Sequence, residues 1–282
     1  MADLLLPGYR IPTSLSEIQE AASVIKEQGT KWFTNFYVDE GRLARWIQKG
    51  QISYYATPQL ILLLRQRQGF RQLYMTASEE QALKDSLEKF LPDGYGIFVT
   101  DLLGEASDLR EALLACKWQP YLTLQRIVKI NSAGGVAKPV ASEHYARPGE
   151  EMQIMDMLEE NIDPYGEQIP DLDEIVERIA AKEVLVIRDE ATGELKAFFS
   201  FIRQGSTVTG RFLVTRRKYR DEGWGLDLSD MFFGLHADVR RILGWVREDK
   251  KRNLKLYELQ GYQKDRLRDE VLIFKGVVGN NG

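Results

Sequence analysis

The sequence predicts an α+β fold that is used twice, with each copy forming a mixed, mostly antiparallel sheet flanked by helices. Three observations lead to this prediction. The chain has 282 residues, a length that suits about two domains. A segment rich in small residues, 131–141, with a glycine pair and a proline, interrupts it near the middle. The same order of helices and strands is predicted on both sides. We therefore expect one domain at 1–130, a linker at 131–141 and a second domain at 142–282.

The first half is predicted to begin with two helices and to continue with strands. Apolar residues recur at helical spacing over 15–28, with Ser14 as a suitable N-cap and Glu17 three positions further on. Runs of β-branched and aromatic residues between turn-forming residues predict the strands. The predicted elements are helices at 15–28, 43–49, 78–90 and 108–117, strands at 52–55, 60–66, 70–76, 95–100 and 121–130, and a turn at 92–94.

The second half repeats this order. The predicted elements are helices at 150–161, 171–182, 225–236 and 249–260, and strands at 184–188, 195–203, 207–215, 242–247 and 270–274. The residues 190–193, Glu-Ala-Thr-Gly, are well suited to a hairpin turn between the first two strands. Because the two halves share little sequence, the prediction of a repeated fold rests on element order.

The composition is that of a globular protein, and it argues against several kinds of site. The net charge of -4 gives no broad basic face, so we expect neither nucleic acid nor membrane as a partner. Cys116 is the single cysteine, so no intrachain disulfide can form. With only two histidines, His144 and His236, the sequence also argues against a metal site. No apolar run is as long as a membrane span, and the first residues lack the basic region of a signal peptide. We therefore expect a cytoplasmic protein.

The segment 211–233 is the most informative about function. A β-rich run ends in basic residues, and Arg220-x-x-Gly223-x-Gly225 then opens an apolar-periodic helix. A helix N-terminus has unpaired N–H groups and partial positive charge, which together hold an anion. Glycine lacks a Cβ atom, so a phosphate can approach the backbone closely. The pattern predicts a pyrophosphate site that is neither a P-loop nor a Rossmann loop. The alternative is a tight turn with no ligand.

A second motif, Leu256-Tyr257-Glu-Leu-Gln-Gly261-Tyr262, lies downstream of the glycines. Together the two motifs resemble the coenzyme A loop and the closing segment of the GCN5-related N-acetyltransferase (GNAT) superfamily. The resemblance implies tandem GNAT-like domains, in which coenzyme A enters between two splayed strands of the second domain. Tyr257 matches the tyrosine that protonates the departing thiolate in that superfamily. The alternative for Tyr257 is an ordinary position in an amphipathic core.

The resemblance also implies which residues hold the co-substrate. Acetyl-CoA or another acyl-CoA is expected to contact the loop and the strand before it, with the backbone N–H groups of Leu213 and Thr215 on the pantetheine arm. No metal is expected. The predicted cofactor-binding residues are Leu213, Val214, Thr215, Arg220, Asp221, Glu222, Gly223, Trp224, Gly225 and Leu226.

Two features depart from the family pattern. Lys250 stands where many relatives have an asparagine, and Asn253 is out of register. The strand at 207–215 contains no acid that could act as a general base. The candidates on the acceptor side are therefore Asp163, Tyr165, Glu167 and Glu248. The alternative for each acid is a solvated loop charge, and an amine that arrives neutral needs no carboxylate.

The first half lacks the phosphate loop. Its strand at 70–76 is followed by Ala-Ser-Glu-Glu, which has no glycine pair and places two acids where a pyrophosphate would lie. Like charges repel there. We therefore predict that the first domain is a degenerate copy that does not bind coenzyme A at this position.

The sequence thus predicts an N-acyltransferase that moves an acetyl or other acyl group from acyl-coenzyme A to a primary amine. One alternative is a catalytically inactive module that binds coenzyme A or a protein partner. Another is a tRNA-dependent aminoacyl transferase, which the net charge disfavours. The sequence leaves open the acceptor (amino acid, peptide, amino sugar, antibiotic or protein amine), the acyl chain length and the oligomeric state.

Overall fold

The computed structural model describes residues 6–28, 32–90, 96–132 and 134–276. The chain divides into two compact units. The first contains the residues up to Thr123 together with those from Arg268 onward, and the second contains Leu124–Leu267. The predicted turn at 92–94, the predicted start of a strand at 95 and position 133 of the predicted linker lie outside the described residues.

The first unit is a mixed sheet with helices on both faces. Its elements are α1 (Leu15–Gln28), β1 (Phe33–Thr34), α2 (Glu40–Gln48), β2 (Ile52–Thr57), β3 (Leu60–Arg67), β4 (Phe70–Ala77), α3 (Glu80–Phe90), β5 (Ile97–Leu103), α4 (Ser107–Ala115) and the end of β11 (Gln263–Lys275). The strand order is β2-β3-β4-β5-β11, in which β4 and β5 are parallel and the other neighbours are antiparallel. One apolar cluster joins the sheet to α3 and α4, and another joins it to α1 and α2.

The second unit has the same topology. Its elements are the end of β6 (Gln119–Ile130), α5 (Glu151–Asn161), α6 (Leu172–Ala180), β7 (Val184–Arg188), β8 (Leu195–Gln204), β9 (Thr207–Thr215), α7 (Trp224–Leu235), β10 (Arg241–Arg247), α8 (Lys251–Leu259) and the start of β11. The order β7-β8-β9-β10-β6 matches that of the first unit, and β9 and β10 are the parallel pair. Helices α5 and α6 contribute to one apolar cluster and α7 and α8 to another.

Each unit takes its last strand from the opposite half of the chain. Residues 269–275 of β11 pair with β5 in the first unit, and residues 124–130 of β6 pair with β10 in the second. The predicted division at 131–141 therefore does not coincide with the division into units. The sequence signal for a boundary is local, whereas the partner of a strand is decided by pairing across the sheet.

The predicted linker packs as part of the second unit. The Asn131 side-chain amide donates to the carbonyls of His236 and Val239, at 3.0 Å each. The Lys138 N–H donates to the Gly234 carbonyl at 2.9 Å. A Cβ atom at Gly135 would lie only 2.0 Å from the Ala237 carbonyl oxygen, so this glycine is required by close backbone approach. The small residues of the segment thus serve packing against the end of α7.

Strand β11 is much longer than predicted. The sequence predicts a strand at 270–274 because the residues before it are mostly charged and polar, but β11 begins at Gln263. Asp265, in the part that was not predicted, pairs with Arg126 in the second unit, and Glu270, in the predicted part, pairs with Arg110 in the first. No helix among the described residues has the length and apolar character needed to cross a membrane.

Candidate functional site

The site is built where β9 turns into α7. The chain leaves β9 at Thr215, passes through a short 3₁₀ turn at 217–219, and enters α7 at Trp224. Asp221 has φ 71° and Gly223 has φ 90°, both in the left-handed region. Glycine adopts this conformation without a steric cost, which explains Gly223 physically. Left-handed residues in a turn let successive N–H groups point into one concavity, a geometry that favours anions.

The first two N–H groups of α7 have no hydrogen-bond acceptor among the described residues and are called its open amides below. The N–H groups of Leu226 and Asp227 donate to the Gly223 carbonyl, at 2.8 and 3.2 Å, and thus begin the helix. The N–H groups of Trp224 and Gly225 precede these bonds, as the first amides of a helix do, and no acceptor from the described residues is paired with them. Two amides therefore face outward at the positive end of the α7 dipole.

A cavity of about 490 Å³ opens in front of these amides, a volume within the usual range for small-molecule sites. It is lined by Leu213, Thr215, Tyr219, Arg220, Asp221, Gly223, Trp224, Gly225, Leu226, Ser229, Arg252, Asn253, Leu256, Tyr257 and Gln260. Two predicted cofactor-binding residues are absent from this lining. Val214 is buried in the core on the opposite face of the sheet, and the Glu222 carboxylate instead accepts a hydrogen bond from the Trp224 indole at 2.8 Å.

Strands β9 and β10 pair only at their beginnings. The parallel register joins Thr207–Thr209 to 241–243, and no paired residues follow along the described strands. Just beyond this point the register of β9 with β8 shifts, so that Arg211 is an extra residue. A bulge bends a strand and increases its twist, which accounts for the divergence.

The divergence frees one side of β9. The Arg216 N–H donates to the Lys196 carbonyl, at the end of the pairing with β8. Because antiparallel neighbours alternate in the direction of their hydrogen bonds, Val214 points its N–H toward β8, and Leu213 and Thr215 point theirs toward the gap. These are the two predicted pantetheine contacts, and both residues line the cavity.

Three basic residues near Arg220, namely Arg216, Arg217 and Lys218, do not line the cavity. The Arg216 guanidinium lies 3.4 Å from the Glu194 carboxylate, and Lys218 forms an ion pair with the same carboxylate. The Arg217 guanidinium donates to the Glu160 carbonyl at 2.9 Å. These three side chains therefore do not stand beside Arg220 at the cavity, although they are its neighbours in the sequence. Their partners lie far away in the sequence, so no local pattern reveals them.

Arg220 does line the cavity, and its guanidinium is held in place. It donates to the Asn161 side-chain oxygen at 2.5 Å, at the end of α5. The Asn161 amide in turn donates to the Met157 carbonyl at 2.7 Å. The Asn161 side chain that holds the guanidinium is neutral, so the positive charge of Arg220 is retained at the edge of the cavity.

Tyr257 lies in the cavity on α8. Its ring is 5.4 Å from that of Tyr262 in an edge-to-face arrangement. Burial raises the pKa of the Tyr257 phenol, and the negative charge of Glu167 raises it further. The hydroxyl therefore keeps its proton at neutral pH and can donate it to a more basic group.

Of the four acceptor-side candidates, Glu167 is the one whose charge acts on Tyr257. None of the four lines the cavity. Burial raises the pKa of the Glu167 carboxyl, an effect opposed by Arg247, Arg211 and Lys250. A carboxylate with a raised pKa is a stronger base than an ordinary one.

The other three candidates have different surroundings. The Asp163 carboxylate accepts from the N–H groups of Tyr165 and Gly166, at 3.0 and 3.1 Å, and lies 3.6 Å from the Arg247 guanidinium. Asp163 and Tyr165 thus belong to one turn that presents Glu167. Glu248 directly follows β10.

Helix α8 contributes more residues than the sequence analysis assigned. Arg252, Asn253, Leu256 and Gln260 line the cavity on the same side of the helix as Tyr257. Asn253 lies four positions before Tyr257 and Gln260 three positions after it, so helical periodicity would have found these two. Arg252 and Leu256, five positions and one position before Tyr257, do not follow from that spacing. Asn253 lies in the cavity although it is out of register with the family asparagine, while Lys250 is the N-cap residue of α8.

Groups of histidine, cysteine, aspartate and glutamate that could hold a metal ion are absent from the described part of the chain. The chemical groups of the site are the open amides of Trp224 and Gly225, the guanidinium groups of Arg220 and Arg252, the Tyr257 phenol and the nearby Glu167 carboxylate.

Comparison with known proteins shows the fold. No family model and no curated protein matches the sequence. Among solved structures, a GCN5-related N-acetyltransferase from Sphaerobacter thermophilus is 14% identical, with a TM-score of 0.56 over 96% of this chain and 97% of that chain. A tandem GNAT protein from the clavulanic acid biosynthesis pathway is 10% identical, with a TM-score of 0.54 over 95% and 98%. A GNAT-family acetyltransferase from Colwellia psychrerythraea is 11% identical, with a TM-score of 0.53 over 95% and 99%. The chain has the tandem GNAT fold.

Proposed function

We propose that the second unit is an N-acyltransferase that moves an acetyl or other acyl group from acyl-coenzyme A to a primary amine. The observation that carries the proposal is that the N-terminus of α7, the diverging edge of β9 and Tyr257 all line the same cavity. An anion site, an extended channel and a proton donor are the three parts that this reaction needs. The same cavity is too rich in charge and hydrogen-bond donors to be an ordinary packing defect.

The N-terminus of α7 suits the pyrophosphate of coenzyme A. The open amides of Trp224 and Gly225 and the dipole of α7 favour negative charge, and Arg220 adds a full positive charge. Gly223 needs its left-handed backbone, and a Cβ atom at Gly225 would extend from the helix start within 3.6 Å of the Thr215 hydroxyl. Glycine at both positions keeps this concavity open.

The edge of β9 suits the pantetheine arm. That arm carries two amides, and a peptide-like chain is well held by the unpaired backbone of a strand. Leu213 and Thr215 present their N–H groups to the gap that β10 leaves. An extended arm bound there leads from the pyrophosphate at α7 toward Tyr257.

Two side chains supply the proton movements. A bond forms between the amine nitrogen and the acyl carbon, and the bond between that carbon and sulfur breaks. The amine loses a proton, which Glu167 accepts directly or through water. The sulfur leaves as a thiolate, which the Tyr257 hydroxyl stabilises by donating a hydrogen bond or its proton. A phenol that gives up its proton regains one from water, and Glu167 releases one to water. The raised pKa of Glu167 makes it a better base, and the raised pKa of Tyr257 keeps the phenol protonated and able to donate.

The proposal is tested in two stages. Calorimetric titration of the whole chain with coenzyme A should give one site per chain. A thiol-release assay with acetyl-coenzyme A against amino acids, peptides, amino sugars and a protein extract should then find an acylated amine, identified by its mass increase. Absence of coenzyme A binding would refute the whole proposal. Tight binding without acylation of any amine would favour the inactive binding module.

A further inference from the structure

We infer that Arg252 binds the 3′-phosphate of the coenzyme A nucleotide, so that the second unit selects donors that carry this phosphate. The inference rests on the proposed function. It adds a specificity-determining residue on α8, outside the glycine loop, and it fixes the chemical class of the donor as a 3′-phosphorylated nucleotide thioester.

The charges of the cavity place Arg252 in a distinct role. Three charged side chains line it, namely Arg220, Arg252 and Asp221. Arg220 is tied to Asn161 at one edge. The Arg252 side chain is exposed, and within the described ranges it has neither an ion pair nor a hydrogen-bond partner. A guanidinium that faces a cavity with no acidic partner is available to an anionic ligand, and its planar fork matches phosphate oxygens.

The surroundings of Arg252 suit a nucleoside. Leu256, one helical turn after Arg252, is 45% exposed, and Leu226, in the first turn of α7, is 57% exposed. Both line the cavity together with the Gln260 amide. Exposed leucines beside a cavity provide an apolar surface that a flat purine base can cover, and a nearby amide can hydrogen-bond to its edge.

The chemistry of coenzyme A requires two anion sites close together. Its pyrophosphate is attached to the 5′ position of the ribose, and its third phosphate to the 3′ position of the same ring. A pyrophosphate at the α7 amides therefore brings the 3′-phosphate within a few bonds of them. The cavity offers this arrangement, since Leu226 directly follows the open amides, while Leu256 and Arg252 approach from α8.

The test compares coenzyme A with 3′-dephospho-coenzyme A as calorimetric ligands for the whole chain. We expect the wild-type protein to bind coenzyme A roughly tenfold more tightly, the size of effect typical of a hydrogen-bonded charge. Arg252→Gln should bind both compounds with the affinity that the wild type has for the dephospho compound. Raising the salt concentration should reduce the wild-type preference, because an exposed charge pair is screened.

Lys255→Gln is the matched control. Lys255 is exposed on the same helix, does not line the cavity, and its replacement removes the same charge. This variant should keep the wild-type preference. The inference is overturned if the wild type does not distinguish the two compounds, or if Arg252→Gln keeps the preference while both compounds still bind. Failure of the wild type to bind either compound would instead refute the proposed function itself.

Discussion

The two units share a strand topology but differ where a strand leads into a helix. In the second unit eight residues with two left-handed positions connect β9 to α7, and the amides at the start of α7 are open. In the first unit β4 is followed after two residues by α3, and Ser78 there donates its N–H to the Gln59 carbonyl at 2.9 Å. Glu79 and Glu80 occupy the start of this helix. The same topology thus offers an anion site in one unit and negative charge in the other.

The gap between the parallel strands also differs. Strands β4 and β5 pair over only two residues, as β9 and β10 do over three. In the first unit, however, the chain itself fills the gap. Strand β1 pairs with β4, and the buried Asn35 side chain donates to the Leu73 carbonyl at 3.2 Å and the Thr100 hydroxyl at 2.6 Å. Asn35 also accepts from the Met75 N–H at 2.8 Å.

The comparison shows that the sheet of each unit has an opening between its two parallel strands, which the first unit fills with its own backbone and the second leaves accessible. An unpaired strand edge must be satisfied by something. Residues 33–35 do this in the first unit, and we propose that coenzyme A does it in the second.

The largest expected effect comes from Gly223→Val. A β-branched residue is strained at φ 90° and would place methyl groups before the open amides. We expect coenzyme A affinity to fall by at least about 10³-fold, since the anion site is lost, while circular dichroism stays native. Gly193→Val is the matched control, because Gly193 has φ 72° in a turn away from the cavity. Normal binding by the Gly223 variant would show that the loop is only a turn.

The next largest effect is expected from Tyr257→Phe, which keeps the ring and removes the hydroxyl. Turnover should fall by a factor within or below about 10²–10⁴, the range for general acid–base catalysis, with coenzyme A affinity nearly unchanged. Tyr219→Phe serves for comparison, because Tyr219 also lines the cavity but donates its hydroxyl to Glu194 at 3.1 Å. If Tyr257→Phe turns over at the wild-type rate, Tyr257 is a packing residue.

One buried group in each unit, His236 in the second and Asp269 in the first, should contribute to stability with opposite dependences on pH. His236, at the end of α7, is buried beside Phe201 and Phe232, and neither ring nitrogen has a hydrogen-bond partner among the residues that the structure describes. Burial, aided by Arg203 and opposed by Asp238, lowers its pKa from 6.5 to about 4. The unfolded chain therefore binds a proton between these values that the folded chain does not. Stability of the second unit should fall by about 3 kcal/mol as the pH drops from 6.5 to 4.

In the first unit the buried Asp269 carboxyl behaves in the opposite way. Burial raises its pKa, and the charge of Asp101 raises it further. The folded state then holds a proton that the unfolded chain releases above pH 4, so stability falls as the pH rises. Urea unfolding followed by hydrogen exchange in each unit should show that His236→Leu removes the first dependence and Asp269→Asn the second. Unchanged pH profiles in both variants would contradict this account.

The smallest of these effects is expected from Asn35→Ala. Removing this side chain leaves buried groups of β4 and β5 without partners, which should cost about 2 kcal/mol of stability. Coenzyme A should still bind at one site per chain, because the first unit lacks the glycine loop. A second binding site in this variant would show that the filled gap alone, and not the loop, prevents binding in the first unit. Urea unfolding and calorimetry measure the two outcomes.

The sequence by itself determined the features that depend on neighbours along the chain. Helical periodicity predicted α7 and α8, and the paired glycines marked the turn between β9 and α7. Fold class followed from the order of these elements, because a sheet with helices on both faces is the stable way to bury them.

Only the tertiary structure decided the partners. Strand β11 completes the first unit although it follows the whole second unit in the sequence. Asn35 fills the gap beside β4, and Glu194 forms ion pairs with Arg216 and Lys218. Each of these contacts joins residues far apart in the sequence. The pairing of strands and charges depends on which surfaces meet after folding, and the local sequence preference for helix or strand does not determine this.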